Sequence, residues 1–394
     1  MVNRRMSKVF GVITMASLCV LALPGNASSK PMDPTDATKP LKEVFKGKFL
    51  IGTTLDFHEL LGRAPEDTAF AQKHFNAFTC GNSMKPDFTQ PQEGRFTFEQ
   101  GDKMVELAAQ CGAVPIGHTL VWHSQTPAWF FAGKQGQPLD RETALSRMRT
   151  HIATVVGHFK GKVKQWDVVN EAISDAPNEY LRPSPWQKAI GDDFIAEAFR
   201  AAHAADPAAL LTYNDYNIEM GYKRGKTLRL LKSLLDQKVP IHAVGIQAHW
   251  RLGSVNLPEI EKAIQDFSGL GLRVMFTELD LGVLPTRYQG ADVSHQESLT
   301  LEQRAAIDPY KAGLPDDVAK KQAEAYRQIF DLFMKYRSKI ERVTFWGSYD
   351  AESWLNNFPI RGRTDYPLLF NRQRKPKPAY FAVVEAASET HKGE

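Results

Sequence analysis

The sequence has 394 residues, of which 43% are hydrophobic and 24% are charged, and its formal net charge is +4 at pH 7. This composition is typical of a soluble globular protein with enough residues for one barrel-sized domain or two smaller ones. The small net charge argues against a nucleic-acid partner, which would require a strongly basic surface.

The first 27 residues have the features of a secretory signal peptide. Arg4, Arg5 and Lys8 form a basic segment, and residues 9–23 form an apolar run too short to span a bilayer comfortably. Small residues then precede Ser28, where we expect cleavage. Removal of this segment takes away three positive charges and lowers the formal net charge from +4 to +1. We therefore predict an exported protein, periplasmic or secreted, with no membrane attachment after cleavage.

Residues 28–40 are polar and rich in proline, which predicts a disordered segment ahead of the folded part. Beyond residue 40 no linker-like stretch interrupts the chain and no internal repeat occurs. We therefore predict a single domain over residues 41–388.

Within this domain, apolar runs suited to parallel strands alternate with helical patterns. The predicted strands are residues 49–56, 75–80, 114–122, 163–170, 210–215, 243–250, 273–280 and 342–350. A helix is predicted over residues 225–237, where Leu228, Leu231 and Leu235 form an apolar stripe, and a last helix over residues 378–387. Eight strands alternating with helices predict an α/β fold, the (β/α)8 TIM barrel.

In such a barrel the functional side chains lie at the carboxyl ends of the strands. These ends carry polar and aromatic residues, whereas the opposite ends carry mainly Gly, Ala, Lys and Pro. The residues at the carboxyl ends are Asp56, His58, Asn82, Lys85, His118, Trp122, His123, Gln125, Asn170, Glu171, Asn214, Asp215, Gln247, His249, Glu278, Asp280, Trp346 and Trp354. This asymmetry predicts a polar cleft lined by aromatic residues at one end of the barrel.

The predicted elements also bear on the two cysteines that follow the signal segment. Cys80 falls at the carboxyl end of one strand, and Cys111 lies just before the amino end of the next. These positions are on opposite faces of a barrel, beyond the reach of a disulfide. We expect two free, largely buried thiols.

Two glutamates carry the strongest chemical signal. Glu171 in QWDVVNEAI and Glu278 in RVMFTELD each follow a short apolar, β-branched run, where an ionisable group is costly to bury. Two carboxyl groups at the same mouth of a barrel are what glycoside hydrolysis requires. One protonates the leaving oxygen, and the other acts as nucleophile or base on the opposite face of the sugar.

Further segments around these glutamates support that chemistry. They are GHTLVWHSQTPAW at 117–129, WDVVNEAI at 166–173, YNDYN at 213–217, GIQAHW at 245–250, TELD at 277–280 and TFWGSYDAESW at 344–354. Together they resemble glycoside hydrolase family 10, the family of endo-β-1,4-xylanases, over roughly residues 41–388. The resemblance implies a retaining enzyme that acts on xylan and xylo-oligosaccharides without a cofactor or a metal.

The resemblance also implies roles for the catalytic residues. In a retaining enzyme the two carboxyl groups are about 5–5.5 Å apart, with Glu278 as nucleophile and Glu171 as acid and then base. The charge of Glu278 favours a proton on Glu171 until a glycosyl ester removes that charge. His249 is expected to hydrogen-bond Glu278, Asp280 to orient the other nitrogen of His249, and Asn170 to bind the 2-hydroxyl of the reacting sugar.

A larger set is implied to bind substrate. Its members are Asn82, Lys85, His118, Trp122, Gln125, Tyr216, Asn217, Gln247, Trp346 and Trp354. Lys85, His118, Trp122 and Gln125 match glycone-side positions, whereas Tyr216 and Asn217 lie toward the aglycone side. Trp346 and Trp354 form apolar walls, and in the family the tryptophan at the position of Trp354 crowds the space of a 6-hydroxymethyl group.

One position departs from the family pattern. The family usually has glutamate before the asparagine that corresponds to Asn82, and here that residue is Gly81. The departure predicts a weakened second glycone subsite. The segment 281–315 after the Glu278 strand is also long, which is typical of either a functional or a disordered loop.

Alternative functions remain open at this point. One is a β-1,4-glucanase with the same two glutamates, which Trp354 disfavours. The other is a catalytically silent carbohydrate-binding barrel, which would have no need for a buried carboxylate pair.

Other residue patterns have a structural explanation. His151 and His158 lie on one predicted helix face but lack acidic or cysteine partners at ligand spacing, so no metal site is predicted. Trp129, Trp166 and Trp186 are expected to serve in packing. We expect the protein to be a monomer.

Overall fold

A closed barrel of parallel strands forms the centre of the computed structural model, which describes residues 38–286, 292–297 and 299–388. The strands, numbered β1 to β9 in chain order, are Leu50–Leu55, Ala77–Cys80, Val114–Trp122, Gln165–Asn170, Leu210–Asp215, Ala243–Ile246, His249–Arg251, Arg273–Gly282 and Ile340–Phe345. Each strand from β1 to β5 pairs with the next one, β9 pairs with both β1 and β8, and a pairing of β6 with β8 closes the barrel. The predicted TIM barrel is therefore confirmed.

The sixth strand was predicted as one continuous segment over residues 243–250, but the structure divides it. It is split into β6 and the short β7, which pairs with the end of β8 through His249 and Asp280. Ala248, between the two pieces, has φ +65°, a left-handed conformation that a regular strand does not contain. The eighth strand position also ends earlier than predicted, at Phe345 rather than at residue 350.

The helices surround this barrel. They are numbered α1 to α13 in chain order: Leu41–Val44, Phe57–Leu60, Pro65–His74, Pro86–Thr89, Glu99–Cys111, Arg141–His158, Pro185–Ile190, Phe194–Ala205, Gly221–Asp236, Leu257–Gly269, Leu301–Ile307, Asp316–Lys335 and Pro378–Ser388. The helix predicted over residues 225–237 corresponds to α9. Its most buried leucines are Leu230, Leu231 and Leu234, whereas Leu228 and Leu235 are only partly buried.

The core lies between the barrel wall and the helices. Phe276 on β8 stacks on Phe333 of α12 with ring centroids 4.0 Å apart, and Phe330 stacks on Phe345 of β9 at 6.1 Å. Full burial of one such side chain contributes roughly 1.5–3 kcal/mol. This packing fixes the strands from outside, so that their carboxyl ends present side chains on a rigid frame.

The two cysteines are free, as predicted. Cys80 ends β2 and is buried, whereas Cys111 ends α5 and is only partly buried. The expectation of two largely buried thiols therefore holds for Cys80 alone.

The predicted signal segment 1–27 and residues 28–37 of the predicted disordered segment lie outside the described residues.

The long segment 281–315 contains regular structure at two places. Strand β8 continues to Gly282, and α11 covers Leu301–Ile307. Among the residues that the structure describes, no helix combines the length and apolar character needed to cross a membrane.

Candidate active site

A cleft of about 1260 Å³ opens at the carboxyl ends of the strands. Both glutamates line it, together with every other residue that the sequence predicted for the site. Asn82 and Trp354 are 272 positions apart in the chain. The site residues nevertheless come together, because parallel strands all end at the same mouth of the barrel.

Glu171 follows β4 directly and is buried. Its φ of +57° places this non-glycine residue in the left-handed region, a costly conformation that recurs at functional sites. The carboxyl group accepts hydrogen bonds from Trp122 Nε1 at 2.8 Å, Gln247 Nε2 at 2.9 Å and Asn170 Nδ2 at 3.2 Å. These three donors fix the direction in which the carboxyl group faces the cleft.

Glu278 lies within β8 and is also buried. It accepts hydrogen bonds from Asn214 Nδ2 at 2.8 Å and from His249 Nε2 at 3.2 Å. Burial opposes a charged carboxylate, but the hydrogen bonds from His249 and Asn214 and the positive charge on the imidazole hold the pKa of Glu278 below its usual value. Glu278 is therefore an anion, as a nucleophile must be.

His249 connects Glu278 to Asp280. Its Nδ1 lies 2.9 Å from Asp280 Oδ2, and the same oxygen accepts from Trp354 Nε1 at 2.7 Å. Burial alone would lower the pKa of His249, but the two carboxylates outweigh burial and raise it to about 10. The imidazole is thus a cation at neutral pH, and the predicted contacts among these residues are present.

Asn214 is a central site residue that the sequence placed at a strand end but did not assign to the site. Its amide nitrogen donates to Glu278 at 2.8 Å and to Asn170 Oδ1 at 2.9 Å, and its oxygen accepts from Thr277 Oγ1 at 2.6 Å. It therefore links the surroundings of both glutamates. Its place at the end of β5 in YNDYN was the only signal in the sequence.

The predicted glycone-side residues form one hydrogen-bonded group. Lys85 Nζ donates to Asn82 Oδ1 at 3.0 Å and to Gln125 Oε1 at 2.8 Å, and it lies 4.9 Å from the ring centroid of Trp122. Since Trp122 also donates to Glu171, this group lines the cleft next to the acid/base carboxyl.

One wall of the cleft is formed by aromatic residues. His118, fixed by Asp167 at 3.0 Å, meets Trp346 edge-on with ring centroids 5.4 Å apart. Trp354 stacks on Phe358 at 4.9 Å and contacts His249 at the same centroid distance. Phe358, which was not predicted, also lines the cleft beside Trp354.

On the aglycone side, Tyr216 and Asn217 both line the cleft as expected. The Tyr216 hydroxyl contacts Asp175 and accepts from Arg182 at 2.8 Å, and Lys223 Nζ lies 3.7 Å from the centroid of its ring. Asp175, Arg182 and Lys223 were not predicted, because they lie on loops and a helix rather than at strand ends.

The space beside Gly81 is filled by another side chain. A Cβ atom on Gly81 would lie 3.0 Å from Asp56 Cγ, 3.2 Å from Oδ2 and closer still to Oδ1. Asp56 lines the cleft and accepts from Asn82 Nδ2 at 3.4 Å. A carboxyl group is therefore present next to position 81, although residue 81 itself has no side chain.

The residues predicted to serve in packing do so. Trp166 and Trp186 are fully buried, and the partly buried Trp129 stacks on Phe130 at 3.8 Å. His151 and His158 make separate contacts, to Gln90 Oε1 at 2.9 Å and to Asp102 Oδ1 at 2.8 Å.

Comparison with known proteins places this site in context. The chain is 44% identical to an endo-1,4-beta-xylanase of Geobacillus stearothermophilus over 344 residues, 87% of this chain and 97% of the relative. It is 40% identical to a beta-1,4-xylanase of Dictyoglomus thermophilum over 345 residues, 88% of this chain and 90% of the relative.

Solved structures agree with these relatives. An endoxylanase retrieved from a sugarcane soil metagenome superimposes with a TM-score of 0.82 at 41% identity, covering 89% of this chain and all of the other. A xylanase of Paenibacillus barcinonensis in complex with a conduramine derivative gives 0.79 at 39% identity, covering 88% and 98% of the two chains. The model of glycosyl hydrolase family 10 matches residues 40–386, and the chain belongs to that family.

Proposed function

We propose that the protein is a retaining endo-β-1,4-xylanase that hydrolyses internal xylosidic bonds of xylan by double displacement. The observation that carries the proposal is the pair of buried carboxyl groups in one cleft with different partners. Glu278 contacts the cationic His249, whereas Glu171 accepts from the neutral donors of Trp122 and Gln247. Membership of a retaining family supports the same assignment.

In the first step the Glu278 carboxylate attacks the anomeric carbon of the sugar, and a C–O ester bond forms as the glycosidic C–O bond breaks. Glu171 gives its proton to the departing oxygen. Asn214 and His249 direct the attacking carboxylate, because each holds one of its two oxygens. Asn170, whose oxygen is fixed by Asn214, would meet the 2-hydroxyl of the reacting sugar.

In the second step a water molecule attacks the ester at the anomeric carbon while Glu171, now a carboxylate, takes a proton from that water. The bond to Glu278 breaks, and the released sugar has the β configuration of the substrate. The negative charge of Glu278 is absent while the ester exists.

The substrate class rests on the names of the relatives and on the cleft. The relatives described above are named xylanases. Trp354, stacked on Phe358 and hydrogen-bonded to Asp280, forms a wall of the cleft, and the family resemblance implies that a tryptophan at this position crowds the space of a 6-hydroxymethyl group. A β-1,4-glucanase and a catalytically silent barrel are disfavoured by this wall and by the complete set of Glu171, Glu278 and His249.

The decisive experiment measures reducing-sugar release from xylan and from carboxymethylcellulose side by side. We expect release from xylan and little from carboxymethylcellulose. Equal release from both would favour the glucanase, and release from neither would favour a binding protein. Proton NMR of the first product should show the β-anomer, whereas initial α-anomer would contradict the retaining mechanism.

We further propose that the protein is exported and acts as a monomer, without nucleic acid or membrane partners. The basic and apolar segments at its amino terminus support export, and the small net charge of the remainder supports the absence of a nucleic-acid partner. Amino-terminal sequencing of the protein recovered outside the cytoplasm should begin at Ser28. Size-exclusion chromatography with light scattering measures the oligomeric state.

A further inference from the structure

The pairing of β1 with β2 makes residues 56 and 81 neighbours at the mouth of the barrel. Leu55 is opposite Cys80 in the parallel register, so the next residue of each strand end, Asp56 and Gly81, also lies side by side. The Asp56 carboxyl group occupies the space in which a side chain at position 81 would begin. Glycine at position 81 is thus what leaves room for Asp56.

Asp56 is part of the glycone-side group. Asn82 connects Asp56 to this group, since its amide nitrogen faces Asp56 at 3.4 Å while its oxygen accepts from Lys85 at 3.0 Å. Lys85 lies over Trp122, and Trp122 donates to Glu171. A chain of contacts through Asn82, Lys85 and Trp122 therefore connects Asp56 to the acid/base carboxyl.

The chemistry of Asp56 suits a sugar contact. A carboxylate has two oxygens that accept hydrogen bonds from sugar hydroxyls, and such charge-assisted bonds are stronger than neutral ones. One oxygen faces the amide of Asn82 over a long contact, and the group lines the open cleft. Burial and the neighbouring Glu59 raise the pKa of Asp56, and the positive charge of Lys85 opposes that rise.

We propose that Asp56 supplies the carboxylate of the second glycone subsite, in the place that a side chain at position 81 would otherwise fill. This inference rests on the proposed function. It replaces the expectation of a weakened subsite, which was based on Gly81 alone. The carboxylate would come from the end of β1 instead of from the loop after β2.

The proposal predicts which substrates depend on Asp56. An aryl β-xylobioside places its outer sugar in the second glycone subsite, whereas an aryl β-xyloside has no such sugar. The variant D56A should lower kcat/KM on the xylobioside on the order of 10- to 100-fold and leave the value on the xyloside within about 2-fold. D56N, which keeps a hydrogen-bonding group of the same shape without the charge, should show a smaller loss on the xylobioside.

The same measurements test the proposed function and the role of Asp56 separately. A wild-type protein that cleaves neither aryl glycoside nor xylan would contradict the proposed function. A wild-type enzyme with normal activity, together with a D56A variant that loses activity on both aryl substrates equally or on neither, would overturn the role of Asp56 alone. The xyloside value also reports on folding, because it requires the intact site around Glu171 and Glu278.

Moving the carboxyl side chain from position 56 to position 81 gives a second test. G81E alone should be impaired on the xylobioside, since its Cβ would displace the Asp56 carboxyl and bring two carboxylates together. The double variant D56A/G81E should recover at least part of the activity that D56A loses, because the space is then free for the new side chain. Full xylobioside activity in G81E, or a double variant no better than D56A, would overturn the proposal.

Discussion

His249 Nε2 lies 3.2 Å from Glu278 Oε2, while Nδ1 of the same ring lies 2.9 Å from Asp280 Oδ2. One imidazole thus joins the expected nucleophile to a second carboxylate, that of Asp280. Because the pKa of His249 is raised to about 10, the ring is a cation throughout the neutral range, and it keeps Glu278 ionised. Asp280 therefore influences the nucleophile through the histidine.

The variant Asp280→Asn tests this connection. Loss of the Asp280 charge lowers the pKa of His249 and weakens the cation, so the pKa of Glu278 rises. Since Glu278 must be ionised to attack, the acid limb of the kcat/KM–pH profile should move to higher pH. The measurement is this profile on an aryl β-xyloside for both proteins.

Trp354→Phe is the matched control for that experiment. It removes the other hydrogen bond to Asp280 Oδ2 without removing a charge. Its acid limb should stay close to that of the wild-type enzyme. An Asp280→Asn profile with an unmoved acid limb would contradict the electrostatic role of Asp280.

The two glutamates should respond differently to truncation. Glu278→Ala should lower kcat on the order of 10⁴-fold or more on every substrate, because no nucleophile is left. Glu171→Ala should lose about 10²- to 10⁴-fold on xylan but keep glycosylation with an aryl xyloside whose phenol departs without a proton. Pre-steady-state release of the phenol measures that step, and equal losses on both substrates would exclude Glu171 as the acid.

Much of the fold followed from the sequence, because the eight apolar runs and the polar residues at their carboxyl ends repeat a simple pattern. The rule that parallel strands end at one mouth of the barrel brought Glu171 and Glu278 together, whereas the roles of their predicted partners came from the resemblance to the family. The break after β6 could not be seen, because Ala248 carries no compositional sign of a left-handed φ. The register of β1 against β2, which brings Asp56 to Gly81, is likewise set by pairing in three dimensions.

The two thiols should differ in reactivity. In the form of the protein proposed above to start at Ser28, Cys80 is buried, and burial together with the charge of Asp56 raises the pKa of its thiol, whereas Cys111 is partly exposed. A thiol reagent should therefore label one group quickly in the native protein and two after denaturation without a reductant. Cys111→Ser should remove the fast phase, and a fast phase that survives in this variant would contradict the burial of Cys80.

Asn214 offers a test of how the two glutamates are held in place. Asn214→Ala removes the 2.8 Å hydrogen bond to the Glu278 carboxylate and the 2.9 Å bond to Asn170. A hydrogen bond to a charged group contributes about 1.5–3 kcal/mol, so kcat/KM should fall on the order of 10- to 100-fold. The acid limb of the pH profile should also move to higher pH, because one of the contacts that lower the pKa of Glu278 is gone.

Thr277→Val is the control for Asn214. It removes the hydroxyl that donates to Asn214 Oδ1 at 2.6 Å but leaves the bond from Asn214 to Glu278 in place. Its unfolding free energy should fall by about 1–3 kcal/mol because a buried acceptor loses its donor, while its acid limb stays near that of the wild-type enzyme. A purely structural role for Asn214 would make the two variants alike, with lower stability and the same pH profile. A shifted acid limb in Asn214→Ala alone would instead assign the loss of activity to the ionisation of Glu278.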